Sequence, residues 1–109
     1  MDKLEYIFEK QKELAAFIGS VRYPKSREKR VSVLSTAIIH ESVELQRLTN
    51  WKWWKKQIEF DEKEAREEII DIWHFLVQVS IELGMTPSNI LDEYQKKNQI
   101  NRQRKKDGY

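Results

Sequence analysis

Glu41 and Glu44 stand three residues apart, and so do Glu68 and Asp71. On a helix, residues at i and i+3 share a face, so each pair projects two carboxylates in one direction. Each pair also interrupts an apolar stripe. The first stripe reads Leu34, Ile38, Glu41, Leu45, Leu48; the second reads Ala65, Glu68, Ile72, Phe75, Val79, Leu83. Acids on core-facing positions are unfavourable, because burial penalises charge and like charges repel. A divalent cation offsets both costs. The pairs offer hard oxygen ligands, which favour Mg²⁺ or Mn²⁺ over zinc. Mg²⁺ keeps several waters and shares phosphate oxygens, so such a site suits a nucleotide polyphosphate. The plain alternative is four solvated surface acids, and two pairs in stripe positions weigh against it. A di-iron bundle needs Glu-x-x-His on two helices. Asp71-x-x-His74 imitates one half, but Ala37 stands three residues before His40, so the second half is missing. His40 and His74 read as packed or solvent-linked side chains rather than ligands.

Four helices would carry these residues. The first spans about Asp2 to Ile18 with stripe Leu4, Ile7, Gln11, Leu14, Ile18, and Asp2 with Glu5 resembles a capping box. A basic loop, Gly19 to Arg30, contains Tyr23-Pro24. The second helix starts between Ser26 and Ser32 and runs to about Leu48. The third begins after Asp61 and ends at Leu83-Gly84. Thr86-Pro87 then caps a fourth that reaches about Lys105, with stripe Leu91, Tyr94, Asn98, Asn101. The expected fold is an all-α four-helix bundle in a single domain over residues 1–109, completed by dimerisation, with strand content near zero.

Three amides also break stripes: Gln11 on the first helix, Asn98 and Asn101 on the fourth. Buried amides need partners. A pyrimidine edge supplies side-by-side donors and acceptors, and backbone groups inside the bundle are the alternative. Between the second and third helices lies Trp51-Lys-Trp-Trp-Lys-Lys. Trp51, Trp53 and Trp54 exceed what one small core can hold. They serve helix packing, a dimer contact, or, for Trp51, one wall of a base pocket. Lys52, Lys55, Lys97 and Arg104 are candidates for phosphate contact. Lys96 to Lys106 holds six basic residues and no acid. Without interleaved aromatics this is a solvated or phosphate-facing helix end, and a nucleic-acid role is weak.

Composition sets the frame. The chain has 109 residues, 35% of them charged, with net charge +2 and no cysteine. That excludes disulfides, zinc-thiolate sites and cysteine nucleophiles. No apolar run approaches the length of a membrane span, and Met1-Asp-Lys-Leu-Glu lacks the form of a signal peptide. A cytoplasmic protein with no membrane partner is the expectation. So small a chain buries a modest core alone, so a homodimer is expected.

Taken in order, Gln11, Glu41-Ser-Val-Glu44, Trp-Lys-Trp-Trp-Lys, Glu67-Glu68-Ile-Ile-Asp71 and His74-Phe75 form a pattern. Tyr94-x-x-Lys97-Asn98-x-x-Asn101-x-x-Arg104 and Gly108-Tyr109 extend it. The whole resembles the dimeric dUTPases, of the all-α, MazG-like nucleoside triphosphate pyrophosphatases. The two acidic pairs alone indicate the superfamily; the tryptophan-lysine stretch and the C-terminal pattern narrow it. The resemblance implies Mg²⁺-dependent hydrolysis of dUTP to dUMP and diphosphate in a helical homodimer. It implies that Glu41, Glu44, Glu68 and Asp71 hold metal, with Glu41 or Glu44 positioning or deprotonating the attacking water. Gln11, Trp51, Lys52, Lys55, Lys97, Asn98, Asn101 and Arg104 would contact substrate. Family members are commonly longer, and Ala15 and Lys105 stand where a polar residue and a glutamine are usual. A dCTP-type or other MazG-like pyrophosphatase and a non-enzymatic helical module are the alternatives.

Overall fold

The computed structural model describes residues 1–108, which form four helices: α1 Lys3–Ile18, α2 Arg27–Gln46, α3 Glu62–Glu82 and α4 Pro87–Lys106. Each start is fixed by a side-chain cap, as the sequence suggests. Asp2 accepts from the Glu5 amide at 2.8 Å, and Asp61 from the Glu64 amide at 3.0 Å. Ser26, rather than Ser32, caps α2 by accepting from the Lys29 amide. Thr86 and Asn89 form a reciprocal capping box, and Pro87 opens α4 where a missing amide does no harm. α2 stops at Gln46, two residues before Leu48, which falls in the following turn.

α3 ends in a left-handed turn at Gly84, whose φ is +74°. The Met85 amide returns to the Ser80 carbonyl at 3.0 Å, closing the helix in a Schellman-type cap. Arg27 adds its Nε to the Glu82 carbonyl at 2.5 Å. The φ of Gly84 strains any residue with a Cβ, so glycine is favoured at position 84; a Cβ there would also crowd the movable Arg27 guanidinium at 3.0 Å.

α2 and α3 form the principal pair, an antiparallel hairpin closed by the tryptophan-lysine loop. α1 packs on the C-terminal half of α3. α4 bends 101° away from α3 and touches only α1 among the helices. Its residues beyond Ile90 are all exposed up to Gly108. Asn98 and Asn101, which break the α4 stripe, are exposed in the single chain, because α4 does not reach α2 or α3 within it. The bundle is a three-helix body with an arm.

The body is thinly packed. Phe8, Leu34, Ala65 and Val77 are the buried hydrophobic residues, whereas Phe17, Trp53, Trp73, Leu91 and Tyr94 stand among many exposed ones. The accessible surface is 9321 Å², against about 6,400 Å² for a compact monomer of this mass. The radius of gyration is 17.3 Å, against about 13 Å for a compact domain of this length. No single helix among the described residues is long and apolar enough to cross a membrane.

Candidate active site

Glu41 on α2 faces Glu68 and Asp71 on α3, and one carboxylate oxygen from each lies within 4.8 Å of the others. Glu41 and Glu68 are half-buried; Asp71 is open to solvent. Glu68 Oε2 is shut off from solvent and has no hydrogen-bond partner among the described residues. Burial, reinforced by the adjacent Glu41 carboxylate and the charges of Asp71 and Glu44, pushes the Glu68 carboxyl above its ordinary range. An orphaned oxygen among converging acids is the arrangement a cation would complete. Oxygens around one Mg²⁺ span up to about 4.2 Å at Mg–O distances of about 2.1 Å, close to the spread seen here. The donor set therefore fits a hard divalent cation.

Glu44 stands outside this three-acid group. It lies one turn beyond Glu41, half-buried, with its carboxylate 3.4 Å from His40 Nε2. Its charge still reaches Glu68.

A basic loop closes the same end of the hairpin. The Asn50 side chain accepts from the Ile58 amide at 2.8 Å and donates to the Ile58 carbonyl at 2.9 Å, pinning the segment between them. Trp51 and Trp54 meet edge to face with centroids 6.0 Å apart, and Trp53 and Trp54 at 5.6 Å. All three remain substantially exposed, so none belongs to the core of this chain. Lys52 Nζ lies 5.4 Å from the Trp51 ring centre. Arg47, Lys52, Lys55 and Lys56 line a hollow of about 200 Å³ with Trp51. Its cationic rim is suited to phosphate oxygens.

Towards the other end of the hairpin an apolar cavity of about 550 Å³ opens between α1, the Gly19–Ser26 loop, α2 and α3. Leu14, Ala15, Leu34 and Phe75 supply its greasy walls, and Gln11, His74 and Gln78 its polar groups. Phe75 follows Asp71 by one helical turn, about 6 Å along the axis. Gln11 is buried, as its place in the α1 stripe suggests. Its partners are side chains: Nε2 donates to Gln78 Oε1 at 3.0 Å, and Oε1 lies 2.8 Å from His74 Nδ1. One N–H and one lone pair of Gln11 remain for a ligand. His74 takes no part in the acidic group of Glu41, Glu68 and Asp71.

A family model for dUTPases matches residues 3–90. The chain belongs to the dUTPase family. No curated protein and no solved structure gives a significant match. Membership indicates dUTP diphosphatase activity, and hence a nucleotide substrate and a divalent metal, which accords with the acidic cluster. The family match covers Gln11, both acidic pairs, the tryptophan-lysine loop and His74. It stops at Ile90, so Lys97, Asn98, Asn101 and Arg104 lie beyond it. They are exposed on α4, apart from the acids in this chain. Tyr109 is outside the described residues.

Periodicity does not single out Gln78 and Tyr23, which line the cavity, or Glu82 and Arg30, which stand behind them. Gln78 falls between Phe75 and Val79 of the α3 stripe, three residues after Phe75, and is a buried amide like Gln11.

Proposed function

We propose that this dUTPase family member hydrolyses dUTP to dUMP and diphosphate with Mg²⁺ as its metal, and that it works as a homodimer. The observation that carries the reading is the convergence of Glu41, Glu68 and Asp71 around the unpartnered oxygen of Glu68. A cation bound by these residues supplies positive charge against the polyphosphate and activates water for attack. Glu44 is the proton acceptor for that water in this reading, since it stands one turn from Glu41 yet outside the three-acid group. A positioned general base contributes about 10²–10⁴ in rate. Lys52 and Lys55 hold phosphate oxygens, and Trp51 shields them from water. The base enters the apolar cavity, where the free edge of the Gln11 amide pairs with it.

Surface accounting supports the dimer. The excess of about 2,900 Å² per chain over a compact monomer amounts to about 5,800 Å² for two copies, at the upper end of what obligate dimers bury. The exposed apolar residues of α3 and α4, including Trp73, Leu91 and Tyr94, are suited to that contact. In this reading Lys97, Asn98, Asn101 and Arg104 serve the site of the second copy.

Release of diphosphate from a panel of nucleoside and deoxynucleoside triphosphates, with Mg²⁺, Mn²⁺ or chelator, tests the reading. Metal-dependent cleavage of dUTP ahead of dTTP, dCTP and UTP is expected. Faster cleavage of dCTP would replace the uracil preference with that of a dCTP-type enzyme; metal-independent cleavage would overturn the role of the acids.

A further inference from the structure

From the cavity wall inward runs a single chain of hydrogen bonds: His74, Gln11, Gln78 and Tyr23 line the cavity, and Glu82 and Arg30 stand behind them. His74 Nδ1 meets Gln11 Oε1 at 2.8 Å, and Gln11 Nε2 donates to Gln78 Oε1 at 3.0 Å. Gln78 Nε2 then donates to Glu82 Oε1 at 3.2 Å. Tyr23 Oη donates to the same oxygen at 3.0 Å, and Arg30 Nε to Glu82 Oε2 at 2.6 Å. Arg30 Nη1 continues to the carbonyls of Pro24 and Lys25 at 3.1 and 2.8 Å, which ties the chain to the loop walling the cavity.

The direction of this chain is dictated from one end. A carboxylate only accepts, so the group of Gln78 facing Glu82 must be its NH₂. The Gln78 oxygen then faces Gln11, which must present its own NH₂. The Gln11 oxygen is left facing His74, and two acceptors cannot meet, so neutral imidazole must carry its proton on Nδ1. Gln11 and Gln78 are buried, so a reversed amide would leave unpaired groups away from water. Glu82 itself is held in the ionised form. Burial raises its carboxyl, but hydrogen bonds from Arg30 and Tyr23 with the Arg30 charge outweigh this and hold it below the ordinary range.

We propose that Glu82, acting through Gln78, fixes the orientation of the Gln11 amide and the tautomer of His74, and thereby sets the choice between uracil and cytosine. The choice of base rests on the reading of the cavity as the base pocket; the tautomer does not. Glu82 and Gln78 are positioning residues: Glu82 lies outside the cavity lining, and Gln78, which does line it, acts on the base through the Gln11 amide. An amide of fixed orientation offers one N–H and one lone pair in a set order. Uracil presents N3–H beside O4, whereas cytosine presents N3 without a proton beside an amino group, which is the reverse order. A Gln11 amide free to turn would serve both. Thymine has the same edge as uracil, so the device cannot discriminate against its methyl group.

Two near-isosteric substitutions test this. Glu82→Gln can keep its oxygen toward Arg30 and turn its NH₂ toward Gln78, which reverses every link. Gln78→Met cuts the chain and leaves the Arg30, Tyr23 and Glu82 contacts intact. Two-bond ¹H–¹⁵N spectra of His74 at about pH 8.5, above the usual histidine range, read the tautomer without any substrate. The expected result is a proton on Nδ1 in the natural chain, on Nε2 in Glu82→Gln, and a mixture in Gln78→Met. A proton on Nε2 in the natural chain, or an unchanged tautomer in folded Gln78→Met, would overturn the relay. In kinetics, the preference for dUTP over dCTP should fall at least tenfold in Gln78→Met, while that for dUTP over dTTP stays within twofold. Equal loss of both preferences would assign Gln78 a purely structural role and overturn the proposal. A natural chain that cleaves no dUTP would defeat the functional reading, while the tautomer pattern would still decide the relay.

Discussion

The α2–α3 hairpin and α4 are of nearly equal helical quality, and their surroundings differ completely. Both are well capped at the start. The hairpin then pairs two helices along their length and converges three acids in the seam. α4 leaves at 101° and, past its first turn, stays in solvent. Local signals therefore make a helix in both places, but only long-range packing decides whether its functional side chains meet anything. The hairpin assembles its part of the site within one chain. α4 carries equally suggestive residues, Asn98, Asn101 and Arg104, and brings none of them to the acids.

If the hairpin holds the chemistry, the largest effect belongs there. Asp71→Asn should lower kcat for dUTP by at least about 10³-fold, about 4 kcal/mol of transition-state stabilisation, with unchanged helical circular dichroism. Glu68→Gln should act similarly on turnover but raise the melting temperature of the metal-free protein. The sign follows from the raised carboxyl: the charged form is disfavoured in the folded state, so the apo protein loses stability as pH rises through that range. An active Asp71→Asn enzyme would remove the hairpin's claim to the chemistry.

The same contrast explains how much could be read from sequence. The acid pairs were legible because they violate a local period, and Glu41, Glu68 and Asp71 do converge. Helix starts were legible because a cap is a contact of three residues' span. The relay from His74 to Arg30 was not legible, since its links join positions as far apart as Gln11 and Gln78. Periodicity says that a polar residue faces inward and cannot say which polar residue it meets. The fate of α4 was hidden for the same reason: its stripe of Leu91, Tyr94, Asn98 and Asn101 marks a face, and among the described residues that face stays exposed.

Two stability measurements sharpen the comparison. Arg30→Met removes the charged partner of Glu82 at the hairpin's other end and should cost about 2–3 kcal/mol in urea unfolding, as for a hydrogen bond to a charged group. The pair is mostly shielded from solvent, with side-chain exposures of 24% and 14%, so screening by salt should be modest. The Glu82 carboxyl is depressed, so the folded state binds fewer protons than the unfolded one. Its stabilisation is full above the ordinary glutamate range and is lost as pH falls through the folded value. The natural chain should therefore lose more stability than Arg30→Met on acidification from pH 5 to 3; equal losses would contradict the ion pair. Mg²⁺ at 100 times its dissociation constant should add about 2.7 kcal/mol, and the gain should vanish in Asp71→Asn. A gain that survives there would move the cation off the hairpin.

The smallest expected effect falls on α4 and bears most directly on the difference between the regions. Asn98→Ala removes one amide contact, and a loss of about tenfold in kcat/KM corresponds to about 1.4 kcal/mol, the scale of one hydrogen bond. Within one chain Asn98 is exposed on a helix that does not touch α2 or α3. A kinetic effect would therefore require the second copy to bring α4 to the site. Stronger truncation of the arm, by Asn98→Ala with Asn101→Ala and Arg104→Ala, should deepen the loss enough for a complementation experiment. Mixed with Asp71→Asn chains, the triple variant would form dimers in which intact acids on one chain meet an intact α4 from the other. Activity should then exceed that of either variant alone. No recovery, despite subunit exchange seen by mass spectrometry, would mean that α4 serves its own chain's acids after a rearrangement, or serves neither. Wild-type kinetics in the triple variant would leave α4 as an assembly element only, and the hairpin with the cavity behind it as the whole site.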